Sequence, residues 1–309
     1  MRITIPRGAA IVAAFALAIA GATPAAALNV FACEPEWSAL VKELGGGDVS
    51  IYTATTARQD PHQVQARPAL IAQLRKADLV VCTGAELEVG WMPVLQRQAS
   101  NARVQANAPG YFEATQQVQL QEKPQRLDRA EGDVHPAGNP HIQNDPRLMR
   151  VVAAALARRL QEVDPAHAAA YAQRAKAFDD KLAQAIQRWQ AAAAPLRGTR
   201  AVIYHKDWVY LFTWLGIGEV GTIEPKPGVP PSGAYLAQLL DDIPKRQAQL
   251  VIYAAYQDPK AAAFVAQKAG IPAVMLPFTI GGTDEANDLF GFYDDTVRRL
   301  LAGLRGAGR

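Results

Sequence analysis

Residues 166–194 most constrain what this 309-residue chain can become, because they form a single helical stretch that divides two similar halves. Tyr171, Ala175, Phe178, Leu182, Ile186 and Trp189 recur there at three- and four-residue steps, which places one apolar stripe on one face. At 1.5 Å per residue the stretch reaches roughly 40 Å, enough to run along two lobes. A coiled-coil dimer is the competing reading, but the stripe lasts about three heptads and has no clean a/d seam.

On either side the pattern is apolar run, loop, helix, repeated. Before the stretch, 28–33, 49–55 and 79–84 read as strands, and 36–44, 68–76, 88–99 and 147–163 as helices. After it, 201–205, 218–222, 250–256 and 273–278 read as strands, with helices at 208–215, 235–242, 260–269 and 287–304. Strand–helix–strand succession implies an α/β fold: two lobes, each with a mainly parallel sheet flanked by helices, joined by one long rigid helix. The expected boundaries are 28–164, with a mobile surface loop at 113–138, then a connector at 165–195 and a second lobe at 196–309.

The first 27 residues carry Arg2 and Arg7, an uncharged apolar run over 9–20, and Ala25-Ala26-Ala27, the order of a secretory signal peptide. The run is too short to span a membrane, which takes about 20 residues. An exported, periplasmic mature chain starting near Leu28 is expected. Without Arg2 and Arg7, 30 basic residues stand against 29 acidic, a formal charge of +1. Nothing in that balance argues for nucleic acid. Cys33 and Cys82 are the only cysteines, each ending an apolar strand. In an oxidising compartment they form a disulfide or stay as two buried thiols, and a cysteine-rich metal site is excluded.

The chemistry lies in the histidines. His167 falls in the polar start of the long helix and reads as solvated. His62 follows the second strand in Asp60-Pro61-His62, His135 and His141 precede the helix at 147, His205 ends a strand, and Asp284 follows the last strand in GGTDEA. Loops that leave parallel strands for helices gather at the sheet's carboxyl edge, where α/β folds hold ligands. If the two edges face each other, His62, His141, His205 and Asp284 converge. Three imidazoles and one carboxylate suit Zn²⁺, whereas Mn²⁺ favours more oxygen. Asp60 and Glu224 are placed to cap or brace these loops. The aromatic run Trp208, Tyr210, Phe212 and Trp214 is read as packing that fixes the direction of the His205 ring.

Together DPH, HPxGNPH, YHxxWxYL, IEPKPGVPPS and GGTDEA resemble the zinc-binding periplasmic components of metal ABC importers, the cluster A-I or ZnuA/TroA-like solute-binding proteins. The resemblance covers nearly the whole mature chain. It implies metal bound between two lobes by His62, His141, His205 and Asp284, with a permease membrane subunit as partner, a periplasmic zinc metallochaperone as a second, and a monomeric, non-enzymatic protein. Many zinc members carry a His- and acid-rich loop where this chain has 113–138, of which only His135 remains, as an auxiliary or alternative ligand. Rival readings are a manganese- or iron-binding member of the family, an exported zinc hydrolase, and an adhesin on the same fold. The hydrolase lacks an H-E-x-x-H and would need an open coordination position.

Overall fold

The computed structural model describes residues 26–125, 132 and 134–307. Most of the expected signal peptide and part of the 113–138 loop lie outside these residues. Two four-stranded parallel sheets form, in the orders β2-β1-β3-β4 and β6-β5-β7-β8. The first comprises β1 (Leu28–Ala32), β2 (Val49–Thr53), β3 (Leu79–Cys82) and β4 (Tyr111–Glu113). The second comprises β5 (Arg200–Ile203), β6 (Gly218–Thr222), β7 (Leu250–Ala254) and β8 (Ala273–Leu276). Of these strands only β4 escapes the sequence reading; three residues after Gly110 pair in parallel with β3 and close that side of the sheet.

Helices follow from spacing and punctuation. In α1 (Pro35–Gly45), Trp37, Leu40, Val41 and Leu44 fall on one face and are buried, Pro35 opens the first turn, and Gly46 at φ 58° stops it. In α4 (Pro146–Val163) the Asp145 side chain accepts from the Arg147 amide at 2.9 Å, so Asp-Pro is the cap and first-turn pair that the pattern announced. The other helices are α2 (Pro68–Lys76), α3 (Met92–Ala99), α6 (Val209–Leu215), α7 (Gly233–Arg246), α8 (Pro259–Ala269) and α9 (Leu289–Ala307). Residues 88–91, expected in α3, form turns instead.

The connecting helix α5 (Ala168–Ala192) buries Tyr171, Phe178, Leu182, Ile186 and Trp189, the predicted stripe, against α1 and α4 on one side and α9 on the other. One apolar core therefore runs from Trp37 and Leu40 through Trp189 to Tyr293 and Leu300, across both lobes. Two smaller cores cover the outer faces, one around Leu74 and Trp91, the other around Ile243 and Val265. Opening the lobes widely would expose part of the shared core at about 25 cal/mol per Å². Small tilts and loop movements are the motions this architecture permits. His167 is half-buried, its Nδ1 2.7 Å from Asp164 Oδ2, rather than simply solvated.

Parallel register sets Ala32 beside Val81, so the next residues, Cys33 and Cys82, are neighbours; they are disulfide-bonded with Cα atoms 4.8 Å apart. Glu34 and Thr83 follow directly, and with Glu36 and Glu88 they make a buried acidic group under the carboxyl edge of the first sheet. Burial pushes Glu34 well above the usual carboxylate range and Glu36 and Glu88 up to about 7. Thr279, beyond β8, donates to Glu36, which ties the lobes together beside this group.

Candidate metal centre

Each predicted histidine arrives on a short, locally determined turn. After β2 the chain makes a single 3₁₀ turn, Pro61–Gln63, capped by Asp60, whose Oδ1 accepts from both the His62 amide at 3.0 Å and His62 Nδ1 at 2.7 Å. That carboxylate only accepts, so Nδ1 carries a hydrogen and the neutral tautomer leaves its acceptor lone pair on Nε2. Before α4, Asn139 Oδ1 accepts from the His141 amide at 3.0 Å, which sets the Asn-Pro-His turn. His205 follows β5, and its Nδ1 donates to Glu224 Oε2 at 2.7 Å. The Pro-rich loop holds that carboxylate, because the Gly228 amide donates to the same oxygen at 2.9 Å.

The outcome is a near-equilateral triangle. Ring centroids stand 5.7 Å apart for His62–His141, 5.7 Å for His62–His205 and 5.8 Å for His141–His205. One ligand nitrogen from each lies within 4.8 Å of the other two. His141 and His205 are buried, His62 only partly. His141 Nδ1 is buried and meets no hydrogen-bonding protein atom among the described residues. A cavity of about 190 Å³, lined by Glu122, Val134, His135, His141, His205 and Lys206, opens onto the group. Such a donor set, with two rings oriented by carboxylates, is what a borderline-soft divalent cation requires.

The remaining candidates divide. Asp284 is exposed on the loop after β8, outside the three-histidine group, although that loop passes close by: a Cβ on Gly281 would lie 3.7 Å from Ala57, in the segment leading to His62. His135 comes much closer, its Nε2 3.2 Å from His62 Nε2 and its Nδ1 2.9 Å from the Ala85 carbonyl. Asp60 and Glu224 act as braces, as their loop positions suggested. The direction of the His205 ring is set by Glu224 and not by the aromatic run. Tyr210 instead fastens the 121–139 segment: its hydroxyl donates to the Asn139 carbonyl at 2.7 Å and accepts from the Gln121 amide at 3.0 Å.

Asp207 went unnoticed in the sequence. It is wholly buried, 3.7 Å from His141 Nε2, and accepts from Tyr256 at 3.1 Å and from Gln257 at 2.9 Å. Burial pushes its carboxyl up to about 6 against the opposing pull of His205 and His62. The histidines split in turn. Burial and the neighbouring imidazoles hold His141 well below the usual range and His135 down to about 4. Burial also pulls His205 down, but Asp207 and Glu224 outweigh it and raise the ring to about 9.

Comparison with known proteins identifies the family. The family model described as the periplasmic component A of a zinc-uptake complex, ZnuA, matches residues 30–303. The chain belongs to the ZnuA family. Its members are periplasmic solute-binding proteins of metal ABC importers and not enzymes, which overturns the hydrolase reading. A high-affinity zinc uptake system protein ZnuA of Paracoccus denitrificans is 26% identical over 305 residues, covering 87% of this chain and 88% of the relative. The periplasmic zinc-binding protein TroA of Treponema pallidum superposes with a TM-score of 0.74 at 16% identity, over 90% of this chain and 99% of that one. A manganese-bound periplasmic metal-binding protein of Candidatus Liberibacter asiaticus superposes at 0.73 with 14% identity, over 90% and 99%. These two likenesses concern the fold. As in that fold, a long helix joins the lobes, and no described helix is long and apolar enough to cross a membrane.

Proposed function

We propose that this ZnuA-family protein captures Zn²⁺ in the periplasm and delivers it to the membrane permease of an ABC importer. The observation that carries the reading is the triangle of His62, His141 and His205, with two of its rings turned inward by Asp60 and Glu224. Nitrogen-rich shells favour zinc over manganese, which stands low in the affinity order and seeks oxygen. The zinc uptake named for the Paracoccus relative supports the same choice.

In this reading the three imidazoles form the body of the shell, and Asp284 is the carboxylate expected in fourth place, carried inward by the loop after β8. The protein works as an exported monomer once residues 1–27 are removed, and it meets a permease subunit and a periplasmic zinc metallochaperone. Because the two lobes share a core, capture proceeds by small tilts and loop ordering. The test is metal analysis with chelator competition on the mature protein. One tightly held Zn²⁺ per chain, outcompeting Mn²⁺ and abolished in His205→Ala, is the expected result. A preference for Mn²⁺, or full affinity in that variant, contradicts it.

A further inference from the structure

We propose that Glu88 and Trp91 are positioning residues for His62, forming a buried strut between the end of β3 and the turn that carries this ligand. The inference rests on the reading that His62, His141 and His205 hold the ion, and it deepens that reading by assigning what fixes one of the three in place.

His62 is the ligand that most needs an outside hold. It is only partly buried, whereas His141 and His205 are buried, and it rides on the single 3₁₀ turn Pro61–Gln63. Such a turn closes few hydrogen bonds, and their geometry is poorer than in an α-helix. Asp60 orients the ring from within the turn, but that bond does not place the turn against the rest of the lobe. Trp91 does. Its side chain is wholly buried, and its Nε1 donates to the Pro61 carbonyl at 3.0 Å across 30 positions of sequence. Gly90 closes the same contact from the exposed side. A Cβ there would lie 3.2 Å from the His62 carbonyl, so the two backbones approach as closely as they do only because residue 90 is glycine.

Glu88 holds the far end of the strut. After Cys82 the chain turns through Gly84, Ala85 and Glu86, which stand consecutively at φ 83°, 52° and 66°. Two of these are not glycine, and such strain persists only where surrounding contacts enforce it. The buried Glu88 side chain enforces it by accepting from the Thr83 amide at 2.7 Å and the Gly84 amide at 3.1 Å. The Glu88 carbonyl in turn accepts from the Trp91 amide at 3.1 Å and the Met92 amide at 2.9 Å. One residue therefore closes the strained turn behind it and sets the start of α3 in front of it. Between those two fixed points the Trp91 indole has one direction open to it, toward Pro61.

Chelator competition for zinc on the mature wild type, Trp91→Phe, Gly90→Ala, Glu88→Ala and Glu88→Gln, each with and without His62→Ala, decides it. Trp91→Phe removes the indole donor, and Gly90→Ala sets a methyl group against the His62 carbonyl without touching the core. Each should lower affinity about tenfold, the lower end of what an outer-shell partner is worth. Glu88→Ala should do the same, whereas Glu88→Gln keeps an acceptor oxygen for the two amides and should restore wild-type affinity. In the His62→Ala background none of these changes should lower affinity further, because no ring is left to place. Losses of equal size in that background would mark a general effect of packing, and wild-type affinity in both Trp91→Phe and Gly90→Ala would show that the turn holds itself; either result overturns the assignment. If His62→Ala alone keeps wild-type affinity, the metal site itself is wrong and not only the strut behind it.

Discussion

In the first lobe the strands run β2-β1-β3-β4 and in the second β6-β5-β7-β8, one topology built twice with unrelated side chains. Both lobes bring imidazoles to the carboxyl edge, yet they bring them in different states. The first lobe offers His141, which burial keeps neutral, while the second offers His205, which Asp207 and Glu224 hold protonated up to about 9. In the proposed zinc site one half is therefore ready for a cation and the other must release a proton first. Beneath the edges the lobes differ again. The first rests on the Cys33–Cys82 disulfide and three buried glutamates, the second on Trp208, Phe278 and Tyr256 packed edge to face. Shared topology supplies the crevice, and the side chains at each edge decide how charge enters it.

The sharpest way to break this contrast is to remove one side of it. His141→Ala and His205→Ala should each cost at least about 1,000-fold in zinc affinity, since either removes one of the three imidazoles on which the site is built. A loss confined to one lobe's variant would show that the other does not touch the ion.

The braces come next. Asp60→Asn and Glu224→Gln should each lower affinity about 10–100-fold without removing a ligand. Glu224→Gln should also lower the pKa of His205, which NMR titration of the metal-free protein would record. An unchanged His205 titration would remove Glu224 from the account.

Proton release follows with a definite sign. Bound imidazole must be neutral, and metal-free His205 titrates near 9, so zinc binding at pH 7.5 should expel about one proton. Affinity should rise about tenfold per pH unit up to about 9 and level off beyond it. Calorimetry in buffers of different ionisation enthalpy measures the proton directly, and zero release would mean that His205 enters neutral, like His141.

The smallest effect lies in the acidic group. Glu36 and Glu88 titrate near 7 in the folded protein, well above their unfolded range, so the folded state holds protons that the unfolded state releases. Their contribution to stability is present at acidic pH and is lost as pH rises through about 7. Glu88→Gln mimics the protonated acid and should raise the melting temperature of the metal-free protein at pH 8.5 by about 2–4 °C, against little change at pH 6. Equal shifts at both pH values would show that the buried proton is not on Glu88.

Much of this was legible in the residues. The strand–helix alternation and the stripe from Tyr171 to Trp189 carry the two-lobe plan, because periodicity and caps are local signals. His62, His141 and His205 stood out because each sits in a turn dipeptide or at a strand end, and topology alone brings such positions to one edge. Asp207, Glu34 and Glu88 did not stand out: single charged residues look solvated, and only the folded chain shows that they are enclosed. The closeness of His135 depends on three successive left-handed residues at 84–86 and on a Tyr210 bond across about 90 positions of sequence, neither of which leaves a pattern. The short β4 was overlooked for the same reason, since three residues make too brief an alternation to recognise.

The central claim is that one zinc ion sits between the lobes on His62, His141 and His205. An anomalous difference map measured on both sides of the zinc edge, from crystals of the zinc-loaded mature protein, names the metal and its ligands together. The account predicts a single strong peak within bonding distance of one nitrogen from each of the three rings. A peak elsewhere, or none at this group in protein shown to carry stoichiometric zinc, contradicts it.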